Sequence, residues 1–409
     1  MADATVTTLD SILKEYYTDQ RVRDTMYKDR PFLALVAKAN KWPGRNLPVP
    51  IRYGHPQGRS ATFATAQTNA TSALVEQFLM TNVADYSVAT FDSASIDATS
   101  SGDGSFIDVF KLQVDGAGQQ LARDLALQVY RARTGLRGVV ATSGITTVDL
   151  TLANINDATN FEINQEVVGA ATEGSGAIRA GNATITAINT DTGVLTTDSN
   201  WTTQITSLAD ADSIFVQGDR TTASQTLKLA GLEGWIPATA SATAFYGVDR
   251  TLHTRLGGVR RTGTSLTLKE ALVTGQADAA VVGGSPTHCF LHPKQFRELI
   301  KSEMTNRTYS MEDVSVGKLG FRALVLEGAT GPIRVMADMN CPSTVAWLLQ
   351  MDTWKLVTHG SAPHIADEDG LRILRQATSD GYEVRWRYRG NLCCDFPGGN
   401  VRISLNNAT

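Results

Sequence analysis

The chain contains 409 residues, more than one ordinary hydrophobic core organises, so its length predicts two or three packed units. Hydrophobic residues make up 42% and charged residues 19%, a balance that excludes a disordered chain. The net charge of −4 excludes a dedicated nucleic-acid binder with a strongly basic face. No run approaches the ~20 apolar residues of a membrane span, so no membrane partner is expected.

The first forty residues predict two short helices with a break near Asp29. Apolar residues at helical spacing form one stripe, and Pro31 stands at the start of the second helix, just before Phe32. An amphipathic helix at a chain terminus either docks on its own domain or reaches a neighbouring chain, and the pattern leaves both interpretations open. The stripe consists of Leu9, Ile12, Leu13, Tyr16 and Tyr17.

Residues 41–73 are punctuated by proline and glycine, including Pro48 and Pro50, which predicts extended segments and excludes helix. Few large apolar side chains are present to bury this stretch. It therefore predicts a long two-stranded loop that projects from the body and is stabilised by another subunit.

The next two segments predict the main elements of a folded body. Residues 79–96 alternate in the manner of a strand with one buried face. Residues 108–134 form the longest helical pattern of the chain, and such a helix would be about 40 Å long at 1.5 Å per residue. A helix of this length is expected to span the width of the protein.

The segment 142–230 differs sharply from the rest of the chain in composition. It carries ten acidic and three basic residues, a net charge of −7, so the remainder of the chain is near +3. Short alternating pieces rich in Thr predict a small antiparallel β-barrel or sandwich, separate from the body. Beyond residue 231 helical and strand patterns mix, and the chain ends in alternating strands.

The sequence shows no pattern typical of a catalytic or metal site. The four cysteines lack the CxxC spacing of a zinc site and are expected to be reduced structural thiols. His288 and His292 would lie about 13 Å apart on a strand, too far to share a metal. His253 has no GxSxG serine to act with. We therefore expect no enzyme and no cofactor, with a hydrolase or carbohydrate-binding enzyme carrying a β accessory module as the alternative from another class.

Two clusters of arginine are candidates for intermolecular contacts. On one predicted strand, arginines alternate with apolar residues, so three guanidinium groups share one face. That face fits an inter-subunit salt-bridge ladder, a DNA-facing stripe or a solvated surface. The second cluster lies in a Gly-rich loop, where contact with a partner's acidic group and plain solvation are both open. The first cluster is Arg385, Arg387 and Arg389, and the second is Arg255, Arg260 and Arg261.

The order of these segments and several short motifs resemble the major capsid proteins of tailed bacteriophages, which have the Hong Kong 97-type fold. The similarity covers nearly the whole chain and is specific in combination. The motifs are Tyr27-Lys-Asp-Arg-Pro-Phe-Leu33, Val49-Pro-Ile-Arg-Tyr-Gly54, Gln57-Gly-Arg-Ser-Ala-Thr-Phe-Ala64, Ser213-Ile-Phe-Val-Gln-Gly-Asp-Arg220, Gly231-Leu-Glu-Gly-Trp-Ile-Pro237, Met351-Asp-Thr-Trp-Lys-Leu356 and Asp380-Gly-Tyr-Glu383.

The resemblance implies an α+β fold with an N-terminal arm, a projecting E-loop, a spine helix, a peripheral domain and an axial domain. It also implies an insertion domain, here the acidic, all-β barrel or sandwich. The expected bounds are 1–40 for the arm, 41–75 for the E-loop, 76–141 for the peripheral domain with its spine helix, 142–230 for the insertion domain, 231–365 for the axial domain and 366–409 for strands that return to the peripheral and axial domains.

By the same resemblance, the arm, the E-loop and the second arginine cluster are expected to contact neighbouring subunits. The residues expected in these contacts are Leu9, Ile12, Tyr16, Tyr17, Pro31, Phe32, Trp42, Arg45, Tyr53, Arg59, Phe63, Arg255, Arg260 and Arg261.

The implied function is structural, namely self-assembly into the pentamers and hexamers of an icosahedral phage head. Expected partners are further copies of the chain, a portal, a scaffolding protein, a decoration or cement protein, and packaged double-stranded DNA bound without sequence specificity. The protein would be made in the cytoplasm of the bacterial host and reside in the virion capsid. An encapsulin-type protein compartment with the same fold is the related alternative.

Overall fold

The computed structural model describes residues 30–92, 105–222, 224–240, 243–306, 310–314, 321–367, 370, 372–376 and 380–407. The predicted stripe from Leu9 to Tyr17 lies outside these residues. The described part combines a six-stranded sheet, a seven-stranded sheet, a closed barrel and a two-stranded hairpin with packed helices, which confirms the predicted α+β class.

The secondary structure runs along the chain as follows. Within the described residues, the helices are α1 (Pro31–Leu35), α2 (Phe63–Thr68), α3 (Ser105–Gln128), α4 (Trp201–Gln204), α5 (Leu232–Trp235), α6 (Thr254–Gly257), α7 (Leu268–Val282) and α8 (Pro293–Asn306). The strands are β1 (Ala37–Ala39), β2 (Asn46–Gly54), β3 (Leu74–Thr81), β4 (Val83–Asp92), β5 (Leu136–Ile145), β6 (Asp149–Leu152), β7 (Glu166–Ala170), β8 (Ala183–Asn189), β9 (Val194–Thr197), β10 (Ser213–Val216), β11 (Val259–Thr262), β12 (His288–Leu291), β13 (Ser310–Val314), β14 (Phe321–Glu327), β15 (Pro332–Ala337), β16 (Val345–Leu349), β17 (Trp354–Thr358), β18 (His364–Ile365), β19 (Leu374–Arg375), β20 (Gly381–Cys394) and β21 (Val401–Ser404).

The six-stranded sheet is built around the long strand β20 and carries the long helix α3 on one face. β4 pairs with one edge of β20, while β17, β18 and β19 pair with the other edge and β1 lies beyond β17. Trp386 of β20 is buried, and its Nε1 donates a hydrogen bond to the carbonyl of Val114 at 3.1 Å. The helix is therefore the spine of this sheet.

The helix α3 begins at Ser105 and ends at Gln128, so the predicted extension to Thr134 is wrong. The carbonyl oxygens of Val129 and Tyr130 accept hydrogen bonds from the main-chain N–H groups of Leu232 and Glu233. Since these carbonyls are taken by the start of α5, the chain leaves the helix here and turns toward the barrel.

Residues 136–216 form a closed six-stranded barrel, which resolves the predicted barrel or sandwich in favour of the barrel. Its strand order is β10-β5-β6-β9-β8-β7. The interior is filled by fully buried side chains, and Trp201 from α4 donates its Nε1–H to the carbonyl of Val148 at 3.0 Å. The buried residues include Leu150, Ile185, Leu195, Trp201 and Ile214.

The seven-stranded sheet has the order β11-β21-β16-β12-β15-β14-β13 and mixes parallel and antiparallel pairs. Every residue of β16 is buried, as expected for a strand covered on both faces. Helix α7 packs against this sheet and is fixed at both ends. Thr267 and Glu270 form a reciprocal capping box at its start, and Gly283 ends it with φ of 96°.

The hairpin consists of β2 and β3, with Asn46 opposite Thr81 and Ile51 opposite Glu76. Helix α2 lies in its connection, so the expectation that residues 41–73 exclude helix is wrong at this point. Gly58 is the last proline or glycine of this stretch. Because Phe63–Thr68 contains neither residue, this segment can form a helical turn.

Candidate assembly surfaces

The base of the hairpin packs on the body of its own subunit. Val49 and Ile51 from β2 and Phe78 and Met80 from β3 point to one side and are buried in the main core. The Phe78 ring lies 5.1 Å from that of Trp235, centroid to centroid. The prediction that this hairpin depends on another subunit is therefore wrong for the base. Alternating apolar residues on both strands pack the base on its own subunit.

The tip of the hairpin, residues 59–75, lies outside that core. Arg59 is exposed, and Phe63 of α2 is 82% exposed. The chain closes on itself around most of the tip, since the N–H of Thr71 donates to the carbonyl of Gln57 at 2.7 Å. Arg45, near the base, is also exposed. These positions are available to a second molecule.

Three residues expected to contact neighbours belong to the subunit's own core. Pro31, Phe32 and Trp42 are buried, and the Phe32 ring lies 5.4 Å from Phe290 and 5.6 Å from Tyr130. Their intermolecular role stays a prediction, and their burial leaves little side-chain surface for a neighbour.

A buried carboxylate holds α1 to the body beside Phe32. Oδ2 of Asp338 accepts a hydrogen bond from the Tyr130 hydroxyl at 2.7 Å and one from the Phe32 N–H at 3.5 Å. Burial raises the pKa of Asp338, against the opposing effect of these hydrogen bonds. Burial and the charge of Asp338 raise the pKa of Tyr130 well above its usual value. Asp338, which follows β15, thus links α1 to the segment just after α3.

The first arginine cluster lies on the face of β20 opposite the spine helix. Val384, Trp386 and Tyr388 are buried, while the intervening arginines point to the other side, as the alternation predicts. Nε of Arg385 donates to Glu383 at 2.6 Å, and Arg389 donates to the Tyr86 hydroxyl at 3.4 Å. Arg387 donates to Nε2 of His364 at 3.3 Å. The three guanidinium groups therefore share one face of the sheet.

The second arginine cluster is tied to its own chain. Nε of Arg260 donates to the carbonyl of Pro237 at 2.8 Å, and burial together with the charge of Arg402 lowers the pKa of Arg260. Arg261 pairs with Asp278 at 3.4 Å. Arg255 donates to the carbonyl of the half-buried Tyr53 at 3.3 Å, so it fastens the hairpin to α6. The intermolecular role of Arg260 stays a prediction, and its guanidinium already donates to backbone carbonyls of the same subunit.

A buried cluster of charged side chains joins the barrel to the body. Nζ of Lys228 lies 2.7 Å from Asp219, 2.6 Å from Asp85 and 3.0 Å from Asp124. Arg137 of β5 pairs with Asp124 of α3 and, at 3.1 Å, with Asp219. Burial opposes the charge of Lys228, but Asp219 and Asp85 outweigh it and raise the pKa of Lys228. We call these five residues the ion cluster.

The ion cluster was not predicted from the sequence. Its members come from β4, α3, β5 and the segment that leaves the barrel, so no spacing along the chain connects them. The only available signal was three basic residues in a strongly acidic segment, one of which is Lys228. A cation retained in such a segment is a candidate for a buried pair.

The groups considered for chemistry are mostly buried. Among the described residues there is no set of three His, Cys, Asp or Glu side chains that could hold a metal ion. None of the described helices is both long and apolar enough to cross a membrane. Burial lowers the pKa of His292 to about 4, and burial raises the pKa of Cys393 to about 12. All four cysteines are buried.

Comparison with known proteins finds a family model that matches part of the chain and solved structures with a similar fold. Residues 205–371 match the sequence model of a family described as SU10 major capsid protein. No curated protein matches the chain by sequence. A chain of the cyanophage A-1(L) capsid asymmetric unit is similar in structure, with a TM-score of 0.50, 14% identity and coverage of 92% of both chains.

Two further solved structures are similar at lower TM-scores. A chain from Mycobacterium phage Bobi has a TM-score of 0.44 and 10% identity, covering 99% of this chain and 100% of that one. The holo-SrpI encapsulin complex from Synechococcus elongatus PCC 7942 has a TM-score of 0.46 and 6% identity, covering 93% of this chain and 88% of that one.

The fold shared with the cyanophage A-1(L) capsid chain is the Hong Kong 97-type fold of tailed-phage capsid proteins, which confirms the fold that the resemblance implied. The family match over residues 205–371 agrees with this class. The family match and the shared fold support a structural capsid role, the role that the motifs of the sequence predicted.

Proposed function

We propose that the protein assembles into pentamers and hexamers that close an icosahedral head around double-stranded DNA, without enzymatic activity of its own. The observation that carries the proposal is the exposed tip of the hairpin, residues 59–75, on a base anchored in the core. An anchored base aims the tip at a neighbouring subunit, and burial there offsets the entropy lost when the tip becomes ordered.

The domain bounds expected from the sequence are part of the proposal. The hairpin extends the E-loop to Thr81, and the barrel with its ion cluster corresponds to the insertion domain. Its net charge of −7 supports a position on the outside of the shell, away from DNA and open to a decoration protein. A portal and a scaffolding protein complete the proposed set of partners, and synthesis is assigned to the host cytoplasm.

For the first arginine cluster we favour a contact between subunits over a contact with DNA. Arg385 lies opposite Val88 and Arg387 opposite Tyr86, and these two β4 side chains are 50% and 55% exposed. A surface for phosphate is uniformly polar, whereas a mixed apolar and basic face suits a protein partner.

The test of the assembly proposal is removal of the tip. Because Gln57 and Thr71 are hydrogen-bonded, residues 58–70 can be replaced by Asn-Gly, which closes a tight turn between two strands. We expect a folded subunit with an unchanged circular dichroism spectrum that forms no shells in negative-stain microscopy. Normal shells from this variant would refute the role of the tip.

A matched pair of substitutions distinguishes the loss of a specific intersubunit contact from a general effect of shortening side chains in the tip. Phe63→Ser removes the exposed ring and is expected to reduce shell yield strongly, while Gln67→Ser on the same helix should leave the yield unchanged. Shells of the natural protein are then treated with nuclease and extracted. Protected double-stranded DNA supports the phage-head function, whereas shells filled with a protein cargo would favour the encapsulin-type alternative.

A further inference from the structure

A tight turn at residues 245–248 contains a tyrosine with strained backbone geometry. The N–H of Phe245 donates to the carbonyl of Val248 at 2.9 Å, and the N–H of Val248 donates back at 3.1 Å. The two residues between them, Tyr246 and Gly247, have φ of 49° and 93°. Positive φ at both central residues defines a type I′ turn. Glycine adopts such a φ at little cost, whereas a bulky aromatic residue rarely does.

The turn itself does not explain the tyrosine at position 246. Asparagine, aspartate or glycine is the usual first central residue of a type I′ turn, because each tolerates positive φ. A strained backbone persists only where the surrounding contacts hold it, and strained residues concentrate at binding sites, clamps and switch regions. Tyr246 is buried, so its contacts show what holds it in place.

The first contact of the turn is with the hairpin. The carbonyl of Tyr246 accepts a hydrogen bond from the N–H of Leu79 in β3 at 3.0 Å. The ring of Phe245 lies 6.2 Å from that of Phe78 and 4.7 Å from that of Tyr246, centroid to centroid. The turn therefore holds the hairpin base through its main chain and through a row of aromatic rings.

The second contact is with the chain that enters the barrel. The guanidinium of Arg133 lies over the Tyr246 ring, with its Cζ 4.1 Å from the centroid, which is a cation–π contact. Arg133 stands between the end of α3 and the start of β5. Its carbonyl accepts a hydrogen bond from the N–H of Lys228 at 3.3 Å, on the chain that leaves the barrel. The two connections of the barrel thus run side by side next to this ring.

The third contact fixes the tyrosine to β20. Nδ2 of the fully buried Asn391 donates to the Tyr246 hydroxyl at 2.7 Å and to the carbonyl of Thr81, the last residue of β3, at 3.0 Å. Oδ1 of Asn391 accepts a hydrogen bond from the N–H of Ala230 at 3.0 Å. Ala230 belongs to the chain that returns from the barrel. Asn391 and Tyr246 together therefore contact the hairpin, the barrel connections and the six-stranded sheet.

We propose that Tyr246 is a positioning residue that couples the hairpin to the barrel through the contact of its ring with Arg133. Its main chain holds the hairpin, its ring contacts the barrel connection, and its hydroxyl is fixed to β20. Because packed interiors transmit small displacements, a shift at one of these contacts moves the others. If the tip contacts a neighbouring subunit, as proposed above, that contact is relayed to the barrel, and this last step alone rests on the proposed function.

Hydrogen exchange in the full-length, unassembled subunit tests the coupling. The change is made on the barrel side and the effect is read on the hairpin side. Arg133→Met removes the guanidinium from the ring and keeps an apolar side chain in its place. We expect exchange at the amide of Leu79, which donates to Tyr246, to accelerate on the order of fivefold. Unchanged exchange at Leu79 would overturn the proposal.

Arg131→Met is the matched control. It removes a cation from the same connection, but Arg131 pairs with Asp157 of the barrel at 2.8 Å. Exchange at Leu79 should therefore stay as in the natural protein. Equal acceleration by the two substitutions would show a general loosening of the barrel connection, and the specific link through Tyr246 would be wrong.

A second experiment removes the link itself. Tyr246→Asn deletes the ring and suits the positive φ of the turn. If the ring carries the coupling, adding Arg133→Met to this variant should leave exchange at Leu79 as it is in Tyr246→Asn alone. A further acceleration equal to that seen in the natural background would show that Arg133 acts on the hairpin by another route, against the proposal.

Tyr246→Phe keeps the ring and removes only the hydroxyl. The response of Leu79 to Arg133→Met should therefore persist in this variant, and its loss would contradict coupling through the ring. Circular dichroism shows whether each variant is folded before exchange is measured. None of these measurements needs shells, so the coupling can fail while the assembly function stands, and shells can fail to form while the coupling holds.

Discussion

The hairpin and the barrel both extend from the same body but are attached to it by different physics. The hairpin is held by apolar side chains, with Phe78 packed between Trp235 and Phe245. The barrel is held in part by the ion cluster, in which two cations face three carboxylates whose side chains are at most 17% exposed. The attachment of the hairpin therefore depends on the apolar area removed from water. The attachment of the barrel depends on the geometry and balance of the paired charges.

The difference bears on what each unit does. Apolar contacts tolerate small shifts, because hydrophobic burial has no preferred direction. Buried ion pairs are stable only in a narrow geometry and are strongly destabilising when one partner is lost. We infer that the hairpin base provides strength while its tip adapts to a neighbour, and that the ion cluster fixes the orientation of the barrel.

The largest effect is expected from Phe78→Ala. Phe78 is fully buried, so the substitution removes its transfer free energy and leaves a cavity, lowering the free energy of unfolding by about 3–5 kcal/mol. Urea unfolding of the unassembled subunit measures this loss, and trypsin should cleave faster at Arg52 and Arg59 in the hairpin. The loss should be independent of salt, because no charge is involved.

Leu79→Ala is the matched control, since the next residue of β3 points to the other side and is 48% exposed. Its effect should stay below about 1 kcal/mol. Equal losses for the two substitutions would show that the apolar attachment is not confined to the inner face of the hairpin.

The next largest effect is expected from Lys228→Met, which keeps the length of the side chain but removes its charge. Three carboxylates whose side chains are at most 17% exposed would then face Arg137 alone, and the free energy of unfolding should fall by about 3 kcal/mol. The barrel interior is not touched by this change. The barrel should therefore remain folded while its protease resistance at the junction with α3 decreases.

The double variant Lys228→Met with Asp219→Asn tests whether charge balance is the cause. It leaves Asp85 and Asp124 with Arg137, so the net charge of the cluster returns to its natural value and part of the lost stability should return. A double variant with the summed loss of the two single variants would contradict the proposed role of the ion cluster.

The elements that could be predicted from the sequence are those with a signal in neighbouring residues. The strand β20, the barrel and the spine helix were predictable, because Val384, Trp386 and Tyr388 alternate with arginine and the barrel segment changes composition abruptly. Such signals are local. The buried positions of Phe32 and Trp42 were not predicted, since apolar residues in an arm fit its own core as well as a neighbour's.

The ion cluster and the Asp338 junction lay beyond prediction for a different reason. Asp338 meets Tyr130 and Phe32 only after three distant elements pack together. A lone Asp in a sequence has no periodicity that distinguishes a buried acceptor from a solvated charge. Long-range polar contacts of this kind become visible only in the structure.

At Asp338, apolar packing and polar hydrogen bonds act together. Substitution of Asp338 is expected to change the free energy of unfolding less than the substitutions above. Burial raises the pKa of Asp338 above that of an unfolded aspartate, so the native state binds its proton more tightly. The free energy of unfolding should therefore fall as pH rises from about 4 through the raised native value, and level off above it. Asp338→Asn removes this titration, so the variant should lose that slope while the natural protein shows it.

Asp395→Asn is the control, because Asp395 is an exposed carboxylate paired with Lys355 at 2.5 Å. Urea unfolding between pH 4 and 7 measures the slope for the natural protein, for Asp338→Asn and for this control. Parallel curves for Asp338→Asn and the natural protein would mean that Asp338 does not titrate differently on folding. A reversed slope would show that the hydrogen bonds from Tyr130 and Phe32 lower the pKa of Asp338 more than burial raises it. The attachment of α1 to the body would then depend on polar contacts, as the attachment of the barrel does.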